Sequence, residues 1–287
     1  MVSVNRLTIV GAPTSAGAYA PGQEEGPRAL RDAGLLAALT AGGVEVADVG
    51  DVEAFRWAPD PGNPRAANRA VVADRGRQVA ALVAGAGDGR VLVLGGDCTI
   101  ELGTVAGLRD RVKRLGLVYL DLHADLNVPS SVVDGALDWM GVAHMLDLHG
   151  ADDRLAAAGP RRPLLSDDDV LFLGVDLNQS TPHERSVIVA RGLRVMAAEH
   201  AQRAAQGRPF LVHFDVDVID FSDAPLSENT GRGIGISFEA AFAALDVLVA
   251  DDGFLGLTIT ELNPHHGAQD GSDVRRFAQR LAGTLGA

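Results

Sequence analysis

The chain has a single cysteine, Cys98, so no disulfide can form within it. Aromatic residues are scarce, 5% of 287, and the core must be built mostly from Ala, Val and Leu within a hydrophobic fraction of 47%. Basic residues are outnumbered, 25 Lys and Arg against 38 Asp and Glu, giving a formal net charge of −13. That argues against nucleic acid as a partner, because phosphate binding needs basic stripes, and it suits a cationic ligand. No apolar run reaches membrane-spanning length, so no membrane association is expected. No secretory leader is visible at the start either: residues 1–6 lead straight into a strand-like Leu-Thr-Ile-Val, and a cytoplasmic location is the expectation. Without a composition break or an internal repeat, residues 1–287 read as one domain.

What is present is an alternation of short apolar runs with helical patterns. Strands are expected at 6–10, 44–49, 90–94, 115–120, 170–173, 193–196, 210–214 and 256–260. Helices are expected at 27–41, 65–84, 99–111, 138–148, 182–191, 199–206, 237–250 and 267–282, with Pro27 in a first turn and Ser237 as an N-cap. Gly103 and Gly107 suggest that the 99–111 helix packs closely on a neighbour. Strand–helix alternation implies an α/β fold, a mostly parallel sheet covered on both faces in a three-layer sandwich.

The chemistry collects at strand ends. Tyr119-Leu-Asp-Leu-His-Ala-Asp-Leu-Asn127 follows a buried strand, and Asp121, His123 and Asp125 alternate in it. In an extended backbone alternate side chains share a face. Asp215 and Asp217 repeat the alternation after the 210–214 strand, Asp220 follows, and Asp97, Cys98 and Glu261 close two other strands. Parallel sheets bind ligands outside the carboxyl ends of their strands. Five carboxylates and a histidine on one rim repel one another as bare anions, and a pair of divalent ions such as manganese, zinc or iron(II) resolves the conflict.

Taken together, Gly11-Ala-Pro, Glu24-Glu-Gly-Pro27, Gly95-Gly-Asp97, Asp121-Leu-His-Ala-Asp125, Phe214-Asp-Val-Asp217 and Glu261-Leu-Asn-Pro264 resemble, in order, the motifs of the ureohydrolase superfamily: arginases, agmatinases and formiminoglutamases. The resemblance covers nearly the whole chain and is strongest to arginases. It implies an arginase-like fold and two manganese ions. Asp121 and Asp215 would bridge them, Asp125 and Cys98 would complete one, and His123 and Asp217 the other. It further implies that a hydroxide between the metals attacks a guanidinium carbon, that Glu261 holds the guanidinium, and that urea and an amine leave. By the same resemblance Asn127 contacts a substrate α-carboxylate, and Asp176 lies where acidic residues approach the α-amino group. Relatives are commonly trimers or hexamers, so a homo-oligomer is expected.

Two departures stand out. Arginases carry a histidine where Cys98 stands; a thiolate ligand shifts preference toward zinc or iron, and the alternative is a small buried thiol. Arginases also have a proton-shuttling histidine where Asp138 stands. Asp138 either shuttles a proton with a raised pKa, binds a cationic part of the substrate, or N-caps the next helix. The reading is a metal-dependent hydrolase that releases urea from L-arginine or a close guanidino compound. The alternatives are hydrolysis of Nω-hydroxyarginine or another modified guanidine, hydrolysis of a formimino group, and a non-catalytic relative with an impaired metal site.

Overall fold

A computed structural model describes residues 6–204 and 207–287. Eight strands form one sheet: β1 Arg6–Gly11, β2 Glu45–Asp51, β3 Arg90–Leu94, β4 Gly116–Leu120, β5 Val170–Leu173, β6 Arg194–Met196, β7 Phe210–Asp215 and β8 Phe254–Thr260. Their order is β2-β1-β3-β8-β7-β4-β5-β6, and every neighbouring pair is parallel. The last strand in sequence, β8, therefore lies at the centre, between β3 and β7.

Alternation along the strands sorts side chains into two cores. Leu92, Leu94, Val118, Leu120, Val212 and Phe214 enter one. Val91, Val93, Leu117, Tyr119 and Leu211 enter the other. Helices α1 Gly26–Asp32, α2 Leu35–Ala41, α8 Phe238–Val249 and α9 Ser272–Gly286 cover the first through Leu30, Leu39, Phe242, Phe277 and Leu281. Helices α3 Arg69–Ala84, α4 Glu101–Arg111 and α5 Gly141–Met145 cover the second through Val79, Val83, Val105, Leu108 and Val142. The three-layer arrangement is the expected one. The close approach of α4 is also as expected: a Cβ on Gly103 would lie 2.4 Å from the carbonyl oxygen of Gly76 on α3.

Helix boundaries differ where local chemistry intervenes. The 27–41 helix is two, α1 and α2, because Gly34 adopts φ +87° between them. The 65–84 helix starts at Arg69, after Asn68 in the left-handed region, whose Nδ2 donates to the carbonyls of Ala16 and Ala58. The 138–148 helix is a 3-10 turn, Asp138–Met140, followed by α5. Between α5 and β5 lies a short α6, Asp153–Ala156, where no helix was expected. In place of the 199–206 helix there is a 3-10 segment, Ala198–Arg203; positions 205 and 206 lie outside the described residues. Residues 182–191 form α7, Pro182–Arg191, with a capping box between Thr181 and Glu184. Helix α9 begins at Ser272 because the Asp270 and Asp273 side chains accept from the Ser272 and Ala268 N–H groups and hold the preceding turn. Among the described residues no helix is long and apolar enough to cross a membrane.

Candidate metal centre

The four central strands, β3, β8, β7 and β4, carry the site at their carboxyl ends. After β3 the chain passes close to the first loop: a Cβ on Gly96 would sit 1.8 Å from the Thr14 carbonyl oxygen. Asp97 caps the 3-10 turn that follows, accepting from Thr99 N–H at 3.0 Å, and also accepts from Gly17 N–H at 2.9 Å. Burial raises its pKa to about 6. Asp97 thus fixes the loop, and Cys98 faces the cleft.

The two aspartate motifs converge by a different route from the one expected. Neither is an extended strand beyond its first residue. Asp121 Oδ1 accepts from His123 N–H at 2.5 Å, and Asp215 Oδ1 accepts from Asp217 N–H at 2.7 Å. Each first aspartate folds its own backbone into a tight turn that brings the second ligand back toward the cleft. Asp125 then takes φ +50°, and Glu261 takes φ +61°. Non-glycine residues in this region are uncommon and concentrate at functional sites.

Two groups of possible ligand atoms result, each with all its atoms within 4.8 Å of one another. One is Asp121, His123 and Asp217, with His123 Nδ1 3.0 Å from Asp217 Oδ2. The other is Cys98, Asp121, Asp215 and His213. Cys98 Sγ–H donates to Asp215 Oδ2 at 2.9 Å. Asp121 belongs to both groups, as a bridging residue would. Asp125 belongs to neither: its Oδ2 accepts from the Tyr119 hydroxyl. Glu261 is held by two donors, Cys98 N–H at 3.0 Å and Gln23 Nε2 at 3.0 Å.

The electrostatics call for a cation. Burial, then neighbouring carboxylates, push Asp215, Asp125, Asp121 and Glu261 above the ordinary carboxylate range. Burial and the charge of Asp215 likewise push the Cys98 thiol up. Burial works against charged His123, but Asp217 outweighs it and raises its pKa to about 10. Asp121 Oδ2 is buried without a hydrogen-bond partner. Carboxylate, imidazole and thiolate donors aimed at one another, with such an orphaned oxygen among them, fit a divalent transition metal.

These groups floor a cavity of about 260 Å³. Its lining includes Asp125, Asp134, Asp138, Asp215, Asp217, Glu228 and Glu261 and, among the described residues, no lysine or arginine. Asp138 lies across from Glu261, and burial with the charge of Asp97 raises its pKa well above the usual range. It does not cap the following helix; its Oδ1 accepts only from the adjacent Trp139 N–H, at 2.9 Å. Asn127 and Asp176 do not line this cavity. Asn127 is buried, its Oδ1 accepting from Thr181 and Ser131. Asp176 turns back on Asn178, accepting from its N–H at 2.9 Å. Asp220 accepts from Ser222 and Gly233 N–H groups, away from the cavity.

His213, Glu228 and Asn229 are additions that the sequence reading lacked. His213 had a visible signal, since His213, Asp215 and Asp217 alternate like Asp121, His123 and Asp125. Glu228 and Asn229 lie in an irregular loop with no periodicity to mark them.

A sequence model of the Arginase family matches residues 5–285. The chain is 31% identical to an arginase of Brevibacillus brevis over 278 residues, covering 90% of each protein. It is 29% identical to Arginase-1 of Oryctolagus cuniculus over 303 residues, covering 97% of this chain and 91% of that one. The arginase structure from Bacillus caldovelox superposes with a TM-score of 0.85 at 24% identity, covering 98% of both chains.

Proposed function

The chain belongs to the arginase family, hydrolases of amidine C–N bonds, and from that premise we propose that it hydrolyses a small guanidino compound, L-arginine or a close relative, to urea and an amine. The observation that carries this is the acidic cavity, whose lining presents seven carboxylates, one thiol and the His123 imidazole to a ligand and, among the described residues, no lysine or arginine. A planar cation with several N–H donors is the natural occupant.

Cys98, Asp121, His123, Asp215 and Asp217 would hold two divalent ions, manganese by family precedent, with zinc or iron(II) favoured by the thiolate. Asp125 would join them on releasing the Tyr119 hydroxyl. Ions bound there would supply a nucleophile from water near neutral pH. Glu261, fixed by Cys98 N–H and Gln23, would accept from the guanidinium and orient its central carbon toward the floor. Asp138, whose pKa burial and the charge of Asp97 raise, would deliver a proton to the departing amine nitrogen as the C–N bond breaks. Asn127 and Asp176, which do not line the cavity, would act on the substrate only through the loops they brace.

Asp138 also supports a second reading, hydrolysis of an Nω-hydroxylated guanidine. Breaking its C–NHOH bond would release hydroxylamine, a less basic leaving group than an alkylamine and one that depends less on an imidazole shuttle. A screen over a guanidino-compound panel that includes an Nω-hydroxyguanidine, scoring urea, hydroxyurea and hydroxylamine with manganese, zinc and iron(II) supplied separately, tests both. Release of urea from no member of the panel under any metal would overturn the proposal.

A further inference from the structure

We propose that His213 is a metal ligand, supplying the imidazole nitrogen of the position that Cys98, Asp121 and Asp215 share, with Glu101 as the carboxylate that orients it. The inference rests on the two-metal reading of the site and assigns a donor within it.

His213 lies on β7 two residues before Asp215, so both project from the same face of the strand. Its ring stacks on Tyr119 with centroids 4.0 Å apart and planes 1° from parallel, which fixes where the two nitrogens point. Nε2 points into the cluster: 3.5 Å from Cys98 Sγ, 3.3 Å from Thr260 Oγ1 and 3.7 Å from the orphaned Asp121 Oδ2. A nitrogen and a sulfur bound to one tetrahedral zinc are about 3.5 Å apart, from bond lengths of about 2.05 and 2.3 Å. The Cys98–His213 pair already has that separation. The Sγ–H hydrogen bond to Asp215 is what binding would replace, the thiol proton leaving to solvent as the thiolate takes the metal.

On the other side, Nδ1 faces Glu101 Oε2 at 3.4 Å. Glu101 opens helix α4 and is 0% exposed, as is His213. Among the described residues neither Glu101 oxygen has a hydrogen-bond partner, nor has His213 Nδ1. Placing a carboxylate in such surroundings is costly unless it serves a partner. A carboxylate behind a metal-bound histidine is a recurrent arrangement: it holds the N–H on the rear nitrogen and leaves the front nitrogen's lone pair for the ion. A Cys–His–Glu row could alternatively activate a thiolate nucleophile. Cys98 Sγ, however, lies 2.9 Å from Asp215 Oδ2 in a group that also holds Asp121, and a thiolate among carboxylates needs a cation beside it.

The test is metal binding itself. Wild type, His213→Gln, Glu101→Gln and Cys98→Ser, stripped of metal, are titrated with cobalt(II) against a chelator, and the thiolate-to-cobalt absorption is recorded. His213→Gln is expected to lose about a hundredfold or more in affinity at the thiolate-bearing position and to leave the His123 position intact; Glu101→Gln should lose about ten- to a hundredfold. Unchanged affinity and spectrum in His213→Gln would overturn the ligand assignment alone. Uptake of fewer than two ions by wild type would overturn the two-metal reading with it. Should His213→Gln fail to fold, X-ray absorption of wild type carrying two zinc ions decides: two imidazoles per sulfur are expected, from His123 and His213, and one per sulfur would overturn the assignment.

Discussion

Cys98 and Glu261, 163 positions apart, are joined by a hydrogen bond of 3.0 Å from the Cys98 backbone N–H to Glu261 Oε1. The proposed guanidinium anchor is thereby positioned by the backbone of a proposed metal ligand. Glu261→Gln keeps this contact, because the amide oxygen can accept from Cys98 N–H. The other end then presents an NH₂ to Gln23, whose side-chain oxygen lacks a partner and can turn to receive it. The variant should fold and bind metal normally while losing about a hundredfold or more in kcat/KM, about 3 kcal/mol of transition-state stabilisation. Urea release and metal analysis on the same preparation check this; an undiminished rate would remove Glu261 from the substrate site.

Asp121→Ala and Asp215→Ala remove the two carboxylates expected to bridge, of which the structure puts Asp121 in both ligand groups and Asp215 in the Cys98 group. Each should abolish tight binding of metal and lower urea release by about a thousandfold or more, about 4 kcal/mol. Elemental analysis after metal loading, with the rate measured alongside, is the check. Either variant retaining both metals would count against the bridging role.

Cys98→His exchanges a soft donor for one of intermediate hardness. Manganese affinity should rise relative to zinc by about tenfold or more. Competition titration of the two metals reads the ratio. Unchanged metal content and unchanged kinetics would leave Cys98 as a buried thiol with no role in ligation.

His144 supplies a pH prediction independent of the metal site. It is buried, Nδ1–H donates to the Met140 carbonyl at 2.6 Å, and burial depresses its pKa to about 4 from 6.5. Above pH 6.5 it is neutral folded or unfolded. As pH falls from 6.5 toward 4 the unfolded chain takes up the proton first, so folding stability is lost across that window, by about 3 kcal/mol in full. His144→Leu should remove this slope. The difference in unfolding free energy between wild type and variant, measured at pH 7.5 and pH 4, should therefore shift by about 3 kcal/mol in favour of the variant at the lower pH. Parallel stability curves would show that another group carries the dependence.

Strand positions and most candidate ligand positions are legible in the sequence because buried parallel strands are short apolar runs and the candidate ligands sit just past their ends. Asp215 and Asp217 were found by alternation. His213 obeys the same alternation but lies inside a run that reads as core, where a histidine looks like packing. Glu101 is a single charge at a helix start, indistinguishable in sequence from an ordinary first-turn acid. Asp125 was read as sharing a face with Asp121 in an extended chain; its left-handed backbone, which no residue type announces, sends it to Tyr119 instead. Asn127 and Asp176 were assigned by resemblance alone, and their side-chain partners depend on loops whose course sequence does not specify.

The central place of β8 has a consequence for how the protein is made. Residues up to 253 can form two half-sheets, β2-β1-β3 and β7-β4-β5-β6, and each would present an unpaired edge until the final strand arrives. During synthesis the chain must therefore emerge from the ribosome through β8 before the halves can join. The same insertion delivers Glu261 and Thr260 beside Cys98 and His213. Acquisition of the full complement of metal would then mark a chain folded through β8, and chains cut short before β8 should be recognised by exposed strand edges, aggregation and rapid proteolysis.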